Sequence, residues 1–524
     1  MVSTSQPNTR AGGRPAPASS DRSPGTQEGR RRWWALLVLC LGVMMTFVNV
    51  SSTISALPSI QDDLHVSAST VVWVSSAFSL AVVSLVLSAG TLGDLLGRRR
   101  MFLVGVLLFA LGSGLAFLAH SADLVIAAQA LMGVGAAAVL PSSLAIVSHT
   151  FTDPQERTGA ISVWASCAGL GLAVGPLVAG VLLDQVSWHA VYLTNLVIGV
   201  LALVLTPVFV SESKHPARRF DPAGMVLGTL AVASATYAII QGGATGYGRP
   251  PIIAAYVVFA VSLAAFVRVE LRHHDPMLEL RLFRSASFTA VMSIGAVTMF
   301  GFVGISLLTV LYLERIVHAS ALDTGVKLLP MFATYIVVSA LAARLVRRFG
   351  VALTLTAGLI LMGAGALALL AAGPFSGYGA LWPGLFVAGA GSALLVAPST
   401  AAAVNSVPPL QAGMAAASVN MFRQLGSVLG PSILGTLVTT RFPEYLRERL
   451  TTAGIPAGGA DEIVSGVTHG GTSRPPAALA HAVSVAVPRA FTDAIHLGWL
   501  VAGIVLLALA VPTALLLGRR RPAA

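Results

Sequence analysis

The chain has 524 residues, 55% of them hydrophobic and only 10% charged, with a formal net charge of +11 and a mean hydropathy of +0.82. Soluble domains are roughly 45–50% apolar and about 25% charged, so this composition excludes a water-soluble fold. The positive charge does not mark a nucleic-acid binder, because the basic residues sit in short clusters between apolar runs and do not cover one face of a domain.

Residues 1–32 are rich in Ser, Pro, Gly and Arg and read as a disordered cytoplasmic tail. They are not a signal peptide, because the apolar run that follows is long and leads into many others. Fourteen apolar runs follow, at 33–56, 69–91, 101–119, 124–148, 158–183, 188–210, 222–242, 251–270, 287–312, 324–345, 351–372, 379–404, 411–438 and 494–517. Most reach the roughly 20 residues that a helix needs to span a bilayer. They are too uniformly apolar for alternating barrel strands, so the fold class is an all-α membrane protein of fourteen transmembrane helices.

Basic clusters punctuate these runs. Arg30, Arg31 and Arg32 precede the first; Arg98, Arg99 and Arg100 follow the second; Lys214, Arg218 and Arg219 follow the sixth; Arg344, Arg347 and Arg348 follow the tenth; Arg519, Arg520 and Arg521 follow the last. Counting crossings places every cluster on one side, the positive-inside pattern, with both termini in the cytoplasm of a bacterial inner-membrane protein. Trp33 and Trp34 read as an interfacial anchor on that side. The stretch of about 440–492 has mixed charge and parity puts it outside, where a long loop escapes the positive-inside count. Cys40 and Cys167 lie within apolar runs and read as small buried side chains, not as a disulfide or metal site.

An internal repeat is visible. Gly171-x-x-x-Gly175-Pro176 recurs as Gly426-x-x-x-Gly430-Pro431, and Gly133-x-Gly135 followed by Pro141-Ser142-Ser143 recurs as Gly389-x-Gly391 followed by Pro398-Ser399-Thr400. Both matches lie about 255 residues apart, which favours duplication over chance. That offset covers eight crossings, so two pseudo-symmetric six-helix bundles, 33–211 and 286–524, flank a linker of 212–285 that carries an inserted helix pair. Paired halves around a midplane cavity are how many secondary transporters are built.

The turn between the second and third runs reads Gly90-Thr-Leu-Gly-Asp94-Leu-Leu-Gly97-Arg98-Arg99-Arg100. Glycine permits the tight reversal, and Asp94 can accept hydrogen bonds from the arginines, giving a latch between helices. On the fifth run Gly169, Gly171, Gly175, Pro176 and Gly180 form a small-residue face with a proline bend. Helix packing alone also accounts for such glycines. The first motif resembles the signature loop of the major facilitator superfamily, and the second resembles its antiporter motif, with Ala179 where that motif has the first of two glycines. Further resemblance lies in Ala56-Leu57-Pro58, Trp73, Ser187-Trp188, Asn195, Phe220-Asp221, Gly224, Asn420, Arg423, Gln424 and Gly426. Together these are similar to the fourteen-helix drug:proton antiporter family, in the form found in actinobacterial antibiotic exporters. The resemblance implies alternating access, export of a small hydrophobic compound such as an antibiotic, and protons as the coupling ion.

The pattern breaks at two positions. The family's first-helix aspartate corresponds to Asn49, and its fourth-helix arginine to Gln129. Amides do not titrate, so these two are expected to form a neutral link between the helices or simply to pack an interface. Arg423 is the clearest ionisable residue inside an apolar run: either a functional cation or a side chain snorkelling to the interface. Asp493 and His496 read as an exposed cap opening the last helix; Glu314 and Arg315 end a helix outside; His273, His274 and Asp275 belong to a connecting loop. Met132, Trp164, Phe300, Phe302, Tyr335 and Phe422 are candidates to line the cavity.

Lys214 and Lys327 do not sit in a phosphate loop, which argues against ATP-driven pumping. No converging nucleophiles, bases or metal ligands suggest an enzyme, and no cofactor is expected. The expected partners are a small hydrophobic substrate, protons and the lipid bilayer, with the chain acting as a monomer. The alternative is an ion-coupled uptake or export permease for a non-drug metabolite.

Overall fold

The computed structural model describes residues 24–66, 68–213, 221–273, 276, 278–407, 412–469 and 477–518. Lys214, Arg218, Arg219, Phe220, His274, Asp275 and Arg519 to Arg521 lie outside the described residues. The first six helices are α1 (Pro24–Leu64), α2 (Ala68–Leu96), α3 (Arg98–Phe117), α4 (Ala122–Thr150), α5 (Pro154–Gln185) and α6 (Trp188–Phe209). The inserted pair is α7 (Pro222–Thr245) and α8 (Pro250–Glu270). The remainder comprises α9 (Ala286–Arg315), α10 (Ala321–Phe349), α11 (Val351–Ala368), α12 (Trp382–Asn405), α13 (Ala412–Thr452), α14 (Ala457–His469) and α15 (Ala477–Gly518).

Local chemistry sets several boundaries. Ser121 caps α4 by accepting from the Leu124 amide at 3.4 Å, and Ser320 caps α10 through Asp323 at 3.2 Å. Asp153 accepts from the amides of both Gln155 and Glu156 at 2.9 Å, with Pro154 at the first helical position of α5, where its missing N–H is no loss. Valines and leucines on the outer faces of α6 and α8, among them Val204, Val208, Val257 and Val261, stay exposed, which suits a surface meeting hydrocarbon rather than water.

Among the described residues, thirteen helices are long and apolar enough to cross a bilayer. The expected run at 411–438 forms the first part of α13 but is not one of the thirteen. It carries Asn420, Arg423, Gln424 and Ser427, and packs directly on α9.

Three expectations at the ends are corrected. Helix α1 begins at Pro24, inside the stretch read as a disordered tail. The loop placed at about 440–492 is largely helical: α13 continues to Thr452, α14 follows, and α15 starts by Ala477. The mixed charges that suggested a loop form ion pairs between these helices, Arg447 to Asp461 and Arg449 to Asp493, each at 2.5 Å. Asp493 and His496 therefore lie well inside α15 and do not cap it; His496 Nε2 sits 2.8 Å from the Ala372 carbonyl oxygen.

The duplication is written in backbone contacts. A side chain at Gly171 or Gly175 would meet the carbonyl oxygens of Met44 or Val48 on α1, at 2.7 and 2.9 Å. Their counterparts Gly426 and Gly430 on α13 lie closer still to the Ala296 and Phe300 oxygens on α9. Likewise Gly133 and Gly135 of α4 abut the Phe78 and Gly105 oxygens, while Gly389 and Gly391 of α12 abut Met331 and Gly358. Only glycine permits such approach, so each half closes through the same small-residue contacts.

The halves meet along two seams. On one, α5 runs against α10: Pro176 faces Gly325, Gly180 faces Leu322, and the Tyr335 ring fills the space beside Gly169. On the other, α2 approaches α13, and α7 lies over both. Trp73 Nε1 donates to Gln241 Oε1 at 2.8 Å, Ser88 and Thr229 hydroxyls lie 3.1 Å apart, and Ile240 packs with Val83 and Val428.

Candidate functional site

The turn at Gly97 is built around charge. Gly97 takes φ +115°, a conformation that side chains rarely adopt. Asp94 accepts from Arg98 Nε at 3.0 Å and lies 2.9 Å from its Nη2, while Arg98 Nη1 also reaches the Ala145 carbonyl at 3.4 Å. Arg99 Nη1 donates to the Val210 carbonyl at 3.3 Å. Sequence reasoning missed Glu212. Its carboxylate accepts from the Arg99 amide at 3.0 Å and the Arg100 amide at 3.3 Å, so it caps α3 from the segment after α6. A side chain at Gly97 would strike that carboxylate at 2.8 Å. Nothing local in the sequence pairs residue 212 with residue 99; the contact exists only once α6 is packed beside α3.

At this same end the halves are in contact. Gly90 faces Ala417 of α13, Arg157 of α5 donates to Asn405 of α12, and Ser339 of α10 donates to the Ser162 carbonyl at 3.4 Å.

From mid-depth toward the opposite end lies a cavity of about 170 Å³. Helix α1 lends Asn49, Thr53 and Leu57, and α4 lends Gln129; α13 lends Gln424, Val428 and Ser432. Its volume is well below the roughly 300–1,000 Å³ of sites that hold drug-sized ligands, so admitting one requires the halves to part.

The N-terminal wall of this cavity carries a neutral hydrogen-bond network. Asn49 Nδ2 donates to Gln129 Oε1 at 3.1 Å, and Gln129 Nε2 donates to Thr53 Oγ1 at 2.9 Å and to the Tyr192 hydroxyl at 3.3 Å. Asn195 Nδ2 in turn donates to Asn49 Oδ1 at 3.1 Å. Asn49 is 1% exposed and Gln129 fully buried. Thr53 and Tyr192 were not singled out from the sequence.

The C-terminal wall is different in kind. Arg423 is 3% exposed and its Nη2 donates to the Val396 carbonyl, to Ser399 Oγ at 3.0 Å and to Thr400 Oγ1. Its Nε and Nη1 have no hydrogen-bond partner, and neither does Nδ2 of Asn420. Arg423 and Asn420, with Trp164, Phe302 and Tyr335, line a second cavity of about 20 Å³. Phe47, Leu172, Met299 and Gln424 line both cavities and separate them. Arg423 is held in place by its Nη2 bonds and does not snorkel.

Three cavity candidates lie elsewhere. Met132 fills the space against Gly112 between α3 and α4, its sulfur accepting from Ser113 Oγ at 3.2 Å. Phe422, one residue from Arg423 and so on another helix face, packs with Phe283 and with buried residues of α9. Phe300 is buried in the core of the bundle, its carbonyl oxygen against Gly430.

Comparison with known proteins points in one direction. The family model described as "Major Facilitator Superfamily" matches residues 39–431. The multidrug resistance protein Stp of Mycobacterium tuberculosis is 36% identical over 425 residues, covering 81% of this chain and 79% of that protein. A tetracenomycin C resistance and export protein of Streptomyces glaucescens is 30% identical over 503 residues, covering 94% and 93%. The human organic anion transporter MFSD10 (TETRAN) shares the fold, with a TM-score of 0.60 at 14% identity, covering 91% of this chain and 99% of that one.

Proposed function

This chain belongs to the major facilitator superfamily, and we propose that it exports a small hydrophobic compound, an antibiotic or related drug, across a bacterial inner membrane by alternating access. The observation that carries the reading is a cavity at the meeting of two duplicated halves, with contacts across both seams at the end bearing the arginine turn. Taking that end as cytoplasmic, as the arginine clusters imply, we read the arrangement as a state shut to the cytosol, and the same sequence pattern supports termini on the cytosolic side. The Asp94–Arg98 pair then works as the latch of that state. The names of the relatives, a multidrug resistance protein and an antibiotic export protein among them, support cargo of this class and the outward direction. One polypeptide supplies both halves, so a monomer suffices.

The driving force is an ion gradient, by family the proton gradient. Asn49 and Gln129 cannot carry the proton, since amides do not titrate in the physiological range. A strain expressing the chain is expected to tolerate some small antibiotics better than a strain lacking it; identical profiles across a broad panel would exclude export. Energised cells that accumulate the compound would indicate uptake instead. In the double variant Asn49→Asp with Gln129→Arg, efflux is expected to change its pH dependence. An unchanged profile from pH 6 to 8 would mean that this pair has no bearing on coupling.

A further inference from the structure

The polar lining of the cavities is unbalanced. Beside the small cavity, three buried nitrogens, Arg423 Nε and Nη1 and Asn420 Nδ2, have no acceptor. Arginine and an amide NH₂ are hydrogen-bond donors at these atoms, and the guanidinium stays charged. No Asp or Glu is among the described residues lining either cavity. An unneutralised buried cation with spare donors favours a ligand that brings negative charge and oxygen acceptors.

The two spaces differ in size and character in a way that matches one cargo shape. About 20 Å³ suffices for one or two small polar atoms, whereas the larger cavity offers, beside its neutral amide and hydroxyl groups, an apolar surface of Phe47, Val50, Ile54, Leu57, Met299 and Val303. Resting on the export reading above, we propose that Arg423 and Asn420 form an acid-binding subsite, and that the cargo is an amphipathic weak acid. Its carboxylate, enolate or phenolate is held by the guanidinium, and its apolar body lies in the larger cavity. Gln424 and Met299, on the wall between the spaces, must swing aside for the two parts to be joined.

Holding Arg423 for the fold alone would leave a different signature. Ser399 and Thr400 already have hydroxyl bonds to the Val396 carbonyl, at 3.2 and 3.0 Å, so they stay satisfied without the guanidinium. Arg423→Met is therefore expected to fold with an unchanged or raised Tm.

The test is a binding series on the purified full chain in lipid nanodiscs, read by tryptophan fluorescence and by shift in Tm. The probes are naphthalene-2-carboxylate, 2-naphthamide and 2-naphthylmethylammonium, which share one apolar body. The wild type is expected to bind the carboxylate at least tenfold tighter than the amide and to bind the ammonium weakest. Arg423→Met and Arg423→Gln are expected to erase that order, Arg423→Lys to keep part of it, and Asn420→Leu to reduce it severalfold. Equal affinities, an order led by the ammonium, an order unaltered in Arg423→Met, or no binding of the carboxylate would each overturn the proposal. The export reading stands or falls separately on drug tolerance in cells: tolerance without acid preference removes only the subsite, and acid preference without tolerance removes only export.

Discussion

The two halves of the molecule share their backbone contacts and differ in their buried polar groups. At the repeat offset, Asn420, Arg423 and Gln424 of α13 correspond to Ala165, Ala168 and Gly169 of α5, and Gln129 to Leu385; the matching contacts of Gly175 with Val48 and of Gly430 with Phe300 align Asn49 with Gly301. Glycines that seat one helix against its neighbour's carbonyls are kept in both copies, because a Cβ at any of them meets backbone that cannot move aside. Side chains facing the central cavity are free of that constraint. The first half spends its polar groups on a neutral, mutually bonded set; the second buries a cation with donors to spare. Architecture is duplicated, and chemical character is divided.

That contrast can be broken at three depths. The largest effect is expected from the shared glycines: Gly426→Val and Gly171→Val both force backbone apart, and overpacking against an obstacle that cannot yield costs about 3 kcal/mol or more. A side chain at Gly426 meets the Ala296 oxygen more closely than one at Gly171 meets the Met44 oxygen, so Gly426→Val should lower the thermal midpoint more. A midpoint no lower than that of an outer-face control such as Val204→Ala would undo the claim that these contacts seat the helices. Next, Gln129→Leu removes the acceptor of Asn49 and leaves that buried amide unsatisfied, a loss of about 1–3 kcal/mol. A stability equal to wild type would show that the first half does not depend on its network. The smallest change is Glu212→Gln, which removes the anionic cap of α3 and should lower stability by about 1 kcal/mol, measured by chemical unfolding of the purified chain. A stability equal to wild type there would show that the turn does not depend on this cap.

Much of this was legible in the sequence because hydrocarbon is a strict solvent. Apolar runs of bilayer length, the repeated Gly-x-x-x-Gly-Pro, and the basic clusters gave the helices, the duplication and the expected orientation. The Asn49–Gln129 pairing was also accessible, since two amides inside apolar runs each offer the other a donor and an acceptor. What escaped was of two kinds. Charges in the 440–492 stretch read as loop, although they pair across helices α13, α14 and α15, because composition alone cannot tell a solvated charge from one matched at long sequence separation. Which face of a helix meets the cavity escaped as well: Phe422 and Arg423 are neighbours in sequence, yet of the two Arg423 alone lines either cavity described above, and helical phase relative to a partner is fixed by packing.

The inserted helix α7 has a mechanical corollary. It is fastened to α2 by two side-chain hydrogen bonds, Trp73 to Gln241 and Ser88 with Thr229, whereas toward α13 it offers Gly243 beside Thr436 and the apolar contact of Ile240 with Val428. Greasy and small surfaces slip where bonded ones hold. If the bundles tilt apart as proposed, α7 is expected to travel with the first, with its boundary to α13 as the plane of shear and the helix as a sliding shutter against lipid tails on that flank.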